Sequence, residues 1–142
     1  MKIYTISIPL ARSIVGGQKV ASDINFIDTT VMTGNKLIAP TWAMVSDYKA
    51  GRLDMLGYTR KYIDIITHNI HLTNGAFDKL FDKSYVILGC YCKPRDFCHR
   101  FILSDILTAY KRGSHYAGEI TDTTFKWCNG CAFNTESKDS WC

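Results

Sequence analysis

The chain has 142 residues, of which 46% are hydrophobic and 21% are charged, and its formal net charge at pH 7 is +4. This length fits one domain, and the composition excludes a disordered polypeptide because it supplies enough apolar surface for a core. No apolar run reaches the ~18–20 residues that cross a bilayer, and no run of Lys or Arg is present, so neither a membrane nor a nucleic acid is an expected partner.

The apolar and turn-forming residues predict strands and helices in alternation. Thr41 can cap a helix, Gly51 can end it, and the apolar run at residues 85–89 is typical of a strand buried on both faces. This order predicts an α/β sandwich with a mainly parallel sheet over residues 1–120 and a Cys-containing tail over residues 121–142. The expected elements are a strand at 2–8, a strand from 24 into 28–30, helices at 42–50 and 55–68, a short helix at 77–81, a strand at 85–89, a helix at 97–111 and a strand at 115–120.

Most of the reactive side chains cluster at the predicted junction between the strand at 85–89 and the helix at 97–111. Ligands of open α/β sheets bind beyond the carboxyl ends of strands, and a helix start, which Asp96 can cap here, attracts anions. Cys98 at that helix start is expected to have a lowered pKa, and His99 can carry a proton. We expect an anionic ligand to be bound there by Cys90, Cys92, Lys93, Arg95 and a solvent-facing Arg100.

The cysteines permit other interpretations. Cys90 and Cys98 can be small buried apolar residues. No metal is expected at the junction, because the spacing lacks a paired C-x2-C and the adjacent Cys98 and His99 would diverge on a helix. Reduced thiols in a cytoplasmic protein are favoured over a disulfide scaffold, which is typical of shorter secreted chains. The tail cysteines could bind zinc or form a disulfide; they are Cys128, Cys131 and Cys142.

The segment from Leu88 to Arg100 resembles the closing signature of the DUF488 family and its phage-borne relatives. In that family an apolar strand ends in a cysteine and a Cys-His-Arg triplet opens a helix, as Cys90 and Cys98-His99-Arg100 do here. The resemblance extends through residues 39–42, 47–52 and 58–62. It implies a three-layer, Rossmann-like fold with a pocket shared by the Cys-His-Arg helix and the end of the second strand, where relatives carry Asp-x-Arg and this chain carries Asp28-Thr29-Thr30.

Two functions are expected from these residues. The first is the binding of a nucleotide or nucleotide-derived, phosphate-bearing small molecule, without a cofactor, and the phage-borne relatives make sequestration of a defence signal the implied role. The second is an enzyme that cleaves an N-glycosidic or phosphate-ester bond of such a ligand, with Cys98 or Asp28 as nucleophile and His99 as proton carrier. A protein-interaction domain is a third alternative. Further expected ligand contacts come from Thr29, Tyr58 and Tyr62, although tyrosines at helical spacing are also typical of a core, where Trp42 is expected.

Overall fold

A computed structural model describes residues 1–15, 23–73, 75–93 and 96–121 of the chain. The tail cysteines and Arg95 therefore lie outside the described residues. Among the helices of the described part, none combines the length and the apolar character needed to cross a bilayer. The elements in chain order are β1 (Lys2–Ser7), α1 (Ile8–Val15), β2 (Ile24–Asp28), α2 (Trp42–Lys49), α3 (Met55–Leu72), α4 (Ala76–Leu80), β3 (Tyr85–Cys90), α5 (His99–Tyr110) and β4 (His115–Ile120).

The four strands form one sheet in the order β2-β3-β1-β4, and every pairing is parallel. β1 and β3 occupy the two interior positions, which explains why both are buried along almost their whole length. Ser7 pairs with Cys90, and Asp28 pairs with Gly89, so β1, β2 and β3 end at the same edge of the sheet. The predicted parallel α/β sandwich is confirmed.

Helices cover both faces of this sheet, and the alternation of side chains along β3 shows how. Val86 and Leu88 point into a core formed with α2, α3, α4 and α5, while Ile87 points into a smaller core formed with α1. Cys90 continues the first alternation, so its thiol lies on the side of α3 and α5. The result is the three-layer, Rossmann-like arrangement that the family resemblance implied.

The element boundaries differ from the predicted ones near Pro9 and near Cys98. Pro9 lies in the first turn of α1, a helix that was not predicted; proline ends β1 here by starting a helix, in whose first turn its missing N–H is tolerated. α5 begins at His99, and Cys98 rather than Asp96 is its N-cap residue. The Thr41 cap is confirmed, since its hydroxyl accepts a hydrogen bond from the Met44 N–H.

Candidate functional site

A cavity of about 770 Å³ opens at the carboxyl edge of the sheet, beside the ends of β2 and β3. Two loops form one side of it, residues 30–33 after β2 and residues 90–93 after β3. α2, the first part of α3 and the start of α5 form the other side. The residues that line it are Thr30, Val31, Met32, Thr33, Trp42, Val45, Tyr48, Lys49, Tyr58, Cys90, Tyr91, Cys92, Lys93, Asp96, Phe97, Cys98 and His99.

Aromatic rings form one wall of this cavity. Tyr48, Tyr58 and Phe97 contact one another, with ring centroids 5.1–5.7 Å apart. Trp42, expected in the core, is instead 58% exposed and lines the cavity mouth. A flat, apolar ring system therefore has several aromatic faces and edges to pack against.

Three thiols converge at the floor of the cavity. Cys90 ends β3, Cys92 lies in the following loop, and Cys98 precedes α5, yet their sulfur atoms all lie within 4.8 Å of one another. The Sγ atoms of Cys90 and Cys92 are 3.8 Å apart, and none of the three cysteines is in a disulfide. The strand, the loop and the helix start thus bring together residues that the C-x-C-x5-C spacing does not mark as a cluster.

The pKa values of the thiols in this cluster are shifted in directions that differ from the expectation. Hydrogen bonding with Cys92, and next with Cys98, lowers the pKa of the Cys90 thiol. Hydrogen bonding with Cys90, followed by that with Cys92 and by burial, raises the pKa of Cys98. The expected low pKa of Cys98 is therefore wrong, because its hydrogen bonds with the other two thiols favour its protonated form. Of the three thiols, Cys90 is therefore the one whose thiolate form the surroundings favour.

His99 is held in one orientation by the end of β2. Its Nε2 lies 2.7 Å from the Thr29 carbonyl oxygen, which can only accept, so Nε2 carries the proton. Nδ1 then presents its lone pair toward the Tyr58 hydroxyl at 3.4 Å and the Cys98 sulfur at 3.7 Å. Burial lowers the pKa of His99. His99 is thus a neutral imidazole with a proton-accepting atom beside a thiol.

Arg100 does not face solvent, and that expectation is wrong. Its side chain is fully buried and forms an ion pair of 3.0 Å with Glu119 on β4. The guanidinium also donates to the carbonyl oxygens of Cys92 at 3.3 Å and Lys93 at 3.2 Å. Arg100 is not among the residues that line the cavity; it fixes the loop that carries Cys92.

The comparison with protein families agrees with the architecture of this site. The family model DUF488-N3a, described as the active DUF488-N3 subclade, matches residues 17–111. The chain belongs to the DUF488 family. The match confirms the resemblance noted in the sequence and spans β2 to α5, which includes every residue that lines the cavity. Neither the curated proteins nor the solved structures gave a significant match.

Four of the expected site residues of this DUF488 protein lie outside the cavity lining: Asp28, Tyr62, Thr29 and Arg100. Asp28 accepts hydrogen bonds from the Thr30 N–H at 2.8 Å and the Thr33 hydroxyl at 2.5 Å. Burial raises the pKa of Asp28, but the hydrogen bonds from Thr33 and Thr30 outweigh it, and the pKa is lowered. Tyr62 is fully buried, and its hydroxyl donates to the Ile38 carbonyl at 2.7 Å. The alternation along β2 explains the first case, since Asp28 points away from α5 while its neighbours Ile27 and Thr29 point toward it.

The other expected residues either line the cavity or, like Thr29, hold a lining residue in place. Thr29 is buried and supports His99, because its hydroxyl donates to the Gly89 carbonyl and lies 2.9 Å from Nε2. Among the lining residues that the sequence analysis missed, Val45, Tyr48 and Lys49 lie on α2 at a spacing of three or four residues, which could have marked them as one face of a helix. The expected residues that line the cavity are Tyr58, Cys90, Cys92, Lys93, Cys98 and His99, and the missed ones include Thr30, Thr33, Val45, Tyr48, Lys49 and Phe97.

Proposed function

We propose that this DUF488 protein binds a nucleotide-type small molecule, with a flat base and at least one phosphate, in the cavity at the carboxyl edge of its sheet. The aromatic wall of the cavity is the observation that carries the proposal. Its volume of about 770 Å³ suits a ligand of that size, since small-molecule sites span roughly 300–1,000 Å³. The position also agrees with the general rule for ligands of open α/β sheets.

The aromatic wall of the cavity favours a planar base over an aliphatic ligand. Trp42 at the mouth exposes 58% of its surface, although tryptophan is usually well buried. The rings of Tyr48, Tyr58 and Phe97 continue the same surface inward. Stacking on aromatic side chains contributes about 1–3 kcal/mol per base in single-stranded nucleic-acid complexes, and it tolerates any base.

Two lysines that line the cavity are the reason for proposing a phosphate group on the ligand. Lys49 at the end of α2 and Lys93 after β3 line the cavity, and both are exposed. The two lysines belong to different elements around the cavity, while the buried Arg100 is already paired with Glu119. The ligand is therefore expected to place its base on the aromatic wall and its phosphate between the two lysines.

A panel of mononucleotides, dinucleotides and ADP-ribose tests the proposal. Each compound is incubated with the protein, free ligand is removed, and the released ligand is analysed by mass after denaturation. Calorimetric titration of the ligand found should show that Trp42→Ala weakens binding by about 5- to 150-fold, the equivalent of about 1–3 kcal/mol. The double variant Lys49→Ala/Lys93→Ala should weaken binding and flatten its salt dependence. Lys83→Ala is the matched control, because Lys83 is exposed just before β3 at the opposite edge of the sheet.

The panel also has outcomes that would contradict the proposal. Retention of no compound by the wild type would do so, and so would unchanged affinity of Trp42→Ala. Recovery of the ligand unaltered would support sequestration of a nucleotide signal, the role suggested by the resemblance to phage-borne proteins.

A second candidate function is cleavage of the same ligand at its N-glycosidic or phosphate-ester bond. The contact of Cys98 Sγ with His99 Nδ1 favours it, because the Nδ1 lone pair can accept the thiol proton as the sulfur attacks. The raised pKa of Cys98 makes such a proton acceptor necessary. The description of the matched subclade as active agrees with this candidate. Products of altered mass in the panel would support it, and Cys98→Ser should then retain binding while losing turnover.

A further inference from the structure

We infer that Cys90, Cys92 and Cys98 form a site for one thiophilic metal ion, of the kind represented by Zn²⁺, at the floor of the cavity. The inference depends on the thiol geometry and is independent of the ligand proposed above. All three sulfurs lie within 4.8 Å of one another, and one pair is already 3.8 Å apart. Tetrahedral zinc with Zn–S bonds of about 2.3 Å places its sulfurs about 3.8 Å apart, so the thiols need to move by at most about 1 Å.

The donor set decides the class of ion. Thiolate sulfur selects Zn²⁺, Cu⁺ and similar ions, whereas Mg²⁺ and Ca²⁺ prefer oxygen ligands. The group contains three sulfurs and no carboxylate. Binding replaces the thiol protons, which pass to solvent.

The surrounding backbone holds the three ligands in place without the ion. Cys90 belongs to the interior strand β3, and Cys98 is anchored at the first turn of α5. Cys92 lies in a loop, but the buried Arg100 binds the carbonyl oxygens of Cys92 and Lys93. Outer-shell contacts of this kind orient metal ligands and are typical of metal centres.

Three protein ligands leave the fourth position of a tetrahedral ion open. His99 lies beside the group without belonging to it: its Nδ1 is 3.7 Å from the Cys98 sulfur, but only the three cysteines have ligand atoms that all lie within 4.8 Å of one another in the described part of the chain. All three cysteines line the cavity, so the open position faces the space proposed for the ligand. Three protein ligands and one exchangeable position characterise catalytic rather than structural zinc. An ion held this way occupies Cys98, which excludes Cys98 as a nucleophile.

Co²⁺ binding tests the site in the reduced 142-residue chain. Co²⁺ is added to metal-free protein, and the sulfur-to-cobalt charge-transfer band and the visible d–d bands are recorded. The tail cysteines can bind metal themselves, so the parent for these measurements is the triple variant Cys128→Ser, Cys131→Ser and Cys142→Ser. This parent should bind one Co²⁺ per chain with the spectrum of a four-coordinate thiolate site. Cys92→Ser in the parent should weaken binding more than about 100-fold, since a lost ligand exceeds the 10–100-fold effect of a lost outer-shell partner.

Two measurements keep the test decisive. Circular dichroism should show that Cys92→Ser remains folded, because Cys92 is half-buried in a loop. Zn²⁺ should also protect Cys90, Cys92 and Cys98 of the wild-type protein from alkylation, read by mass after digestion, which requires no variant. A parent that binds no Co²⁺, or a wild type whose alkylation Zn²⁺ slows only in the tail, would overturn the inference. Co²⁺ binding is measured without any nucleotide, so its outcome separates a failure of the metal site from a failure of the ligand proposal.

Discussion

Replacing Arg100 by alanine should destabilise the fold strongly rather than only weaken ligand binding. The side chain of Arg100 is 0% exposed and that of Glu119 is 13% exposed, with 3.0 Å between the paired atoms. Removing one partner of a buried pair leaves the other charge without compensation and costs about 3–5 kcal/mol. Two carbonyl oxygens also lose their donor. We expect Arg100→Ala to lower the free energy of unfolding by about 4 kcal/mol, a large part of the 5–15 kcal/mol that holds an ordinary domain.

The exposed pair Arg52–Asp47 provides a matched control. It has the same separation of 3.0 Å, but its side chains are 63% and 39% exposed. Arg52→Ala should therefore cost less than about 1 kcal/mol. Urea unfolding followed by circular dichroism measures both variants. A double-mutant cycle of Arg100→Ala with Glu119→Gln should give a larger coupling energy than one of Arg52→Ala with Asp47→Asn. The reasoning fails if Arg100→Ala and Arg52→Ala lower the stability equally.

Three further substitutions test other parts of the structure. Asp28→Asn should be less stable than the wild type near pH 7. The native state lowers the pKa of Asp28, so the stabilising contribution of the carboxylate is lost on protonation, and the difference should shrink as the pH falls below the ordinary carboxyl pKa of 3.8. Urea unfolding at several pH values measures this difference, and a constant difference would contradict the assignment. Tyr62→Phe leaves the Ile38 carbonyl without its donor, so it should cost about 1 kcal/mol in urea unfolding while calorimetry shows unchanged ligand affinity. Gly34→Ala places a methyl group against the Thr30 backbone, and thermal unfolding should show a loss of roughly 1–3 kcal/mol; a neutral substitution would show that this turn can shift freely.

The sequence predicted most of the sheet because the strands have a local signature. The run Tyr85–Cys90 is apolar on both faces, which is typical of an interior strand, and β4 occupies the predicted residues 115–120. α1 was missed because Pro9 was interpreted only as the end of a strand. A proline in the first turn of a helix has the same local sequence, and only the following apolar residues of α1 distinguish the two cases.

The candidate site was predictable where its residues are close in sequence. Cys90, Cys98 and His99 were expected together because a strand end and the next helix start share one edge of the sheet. Arg100 was misplaced because its partner Glu119 lies 19 residues away on another strand, and no local pattern reports that pairing. Tyr58 and Tyr62 share one face of α3, so their spacing could not show that only Tyr58 reaches the cavity.

The ion pair between Arg100 and Glu119 also has a consequence for folding during synthesis. Arg100 leaves the ribosome 19 residues before Glu119, and the family match ends at residue 111, before β4 begins. A nascent chain that stops there can dock α5 only by burying a guanidinium without its counter-charge, which is strongly unfavourable. The loop that carries Cys92 can therefore adopt its final conformation only after β4 has been translated and has paired with β1. Messages truncated within this region should yield polypeptides destined for proteolysis rather than partly competent domains.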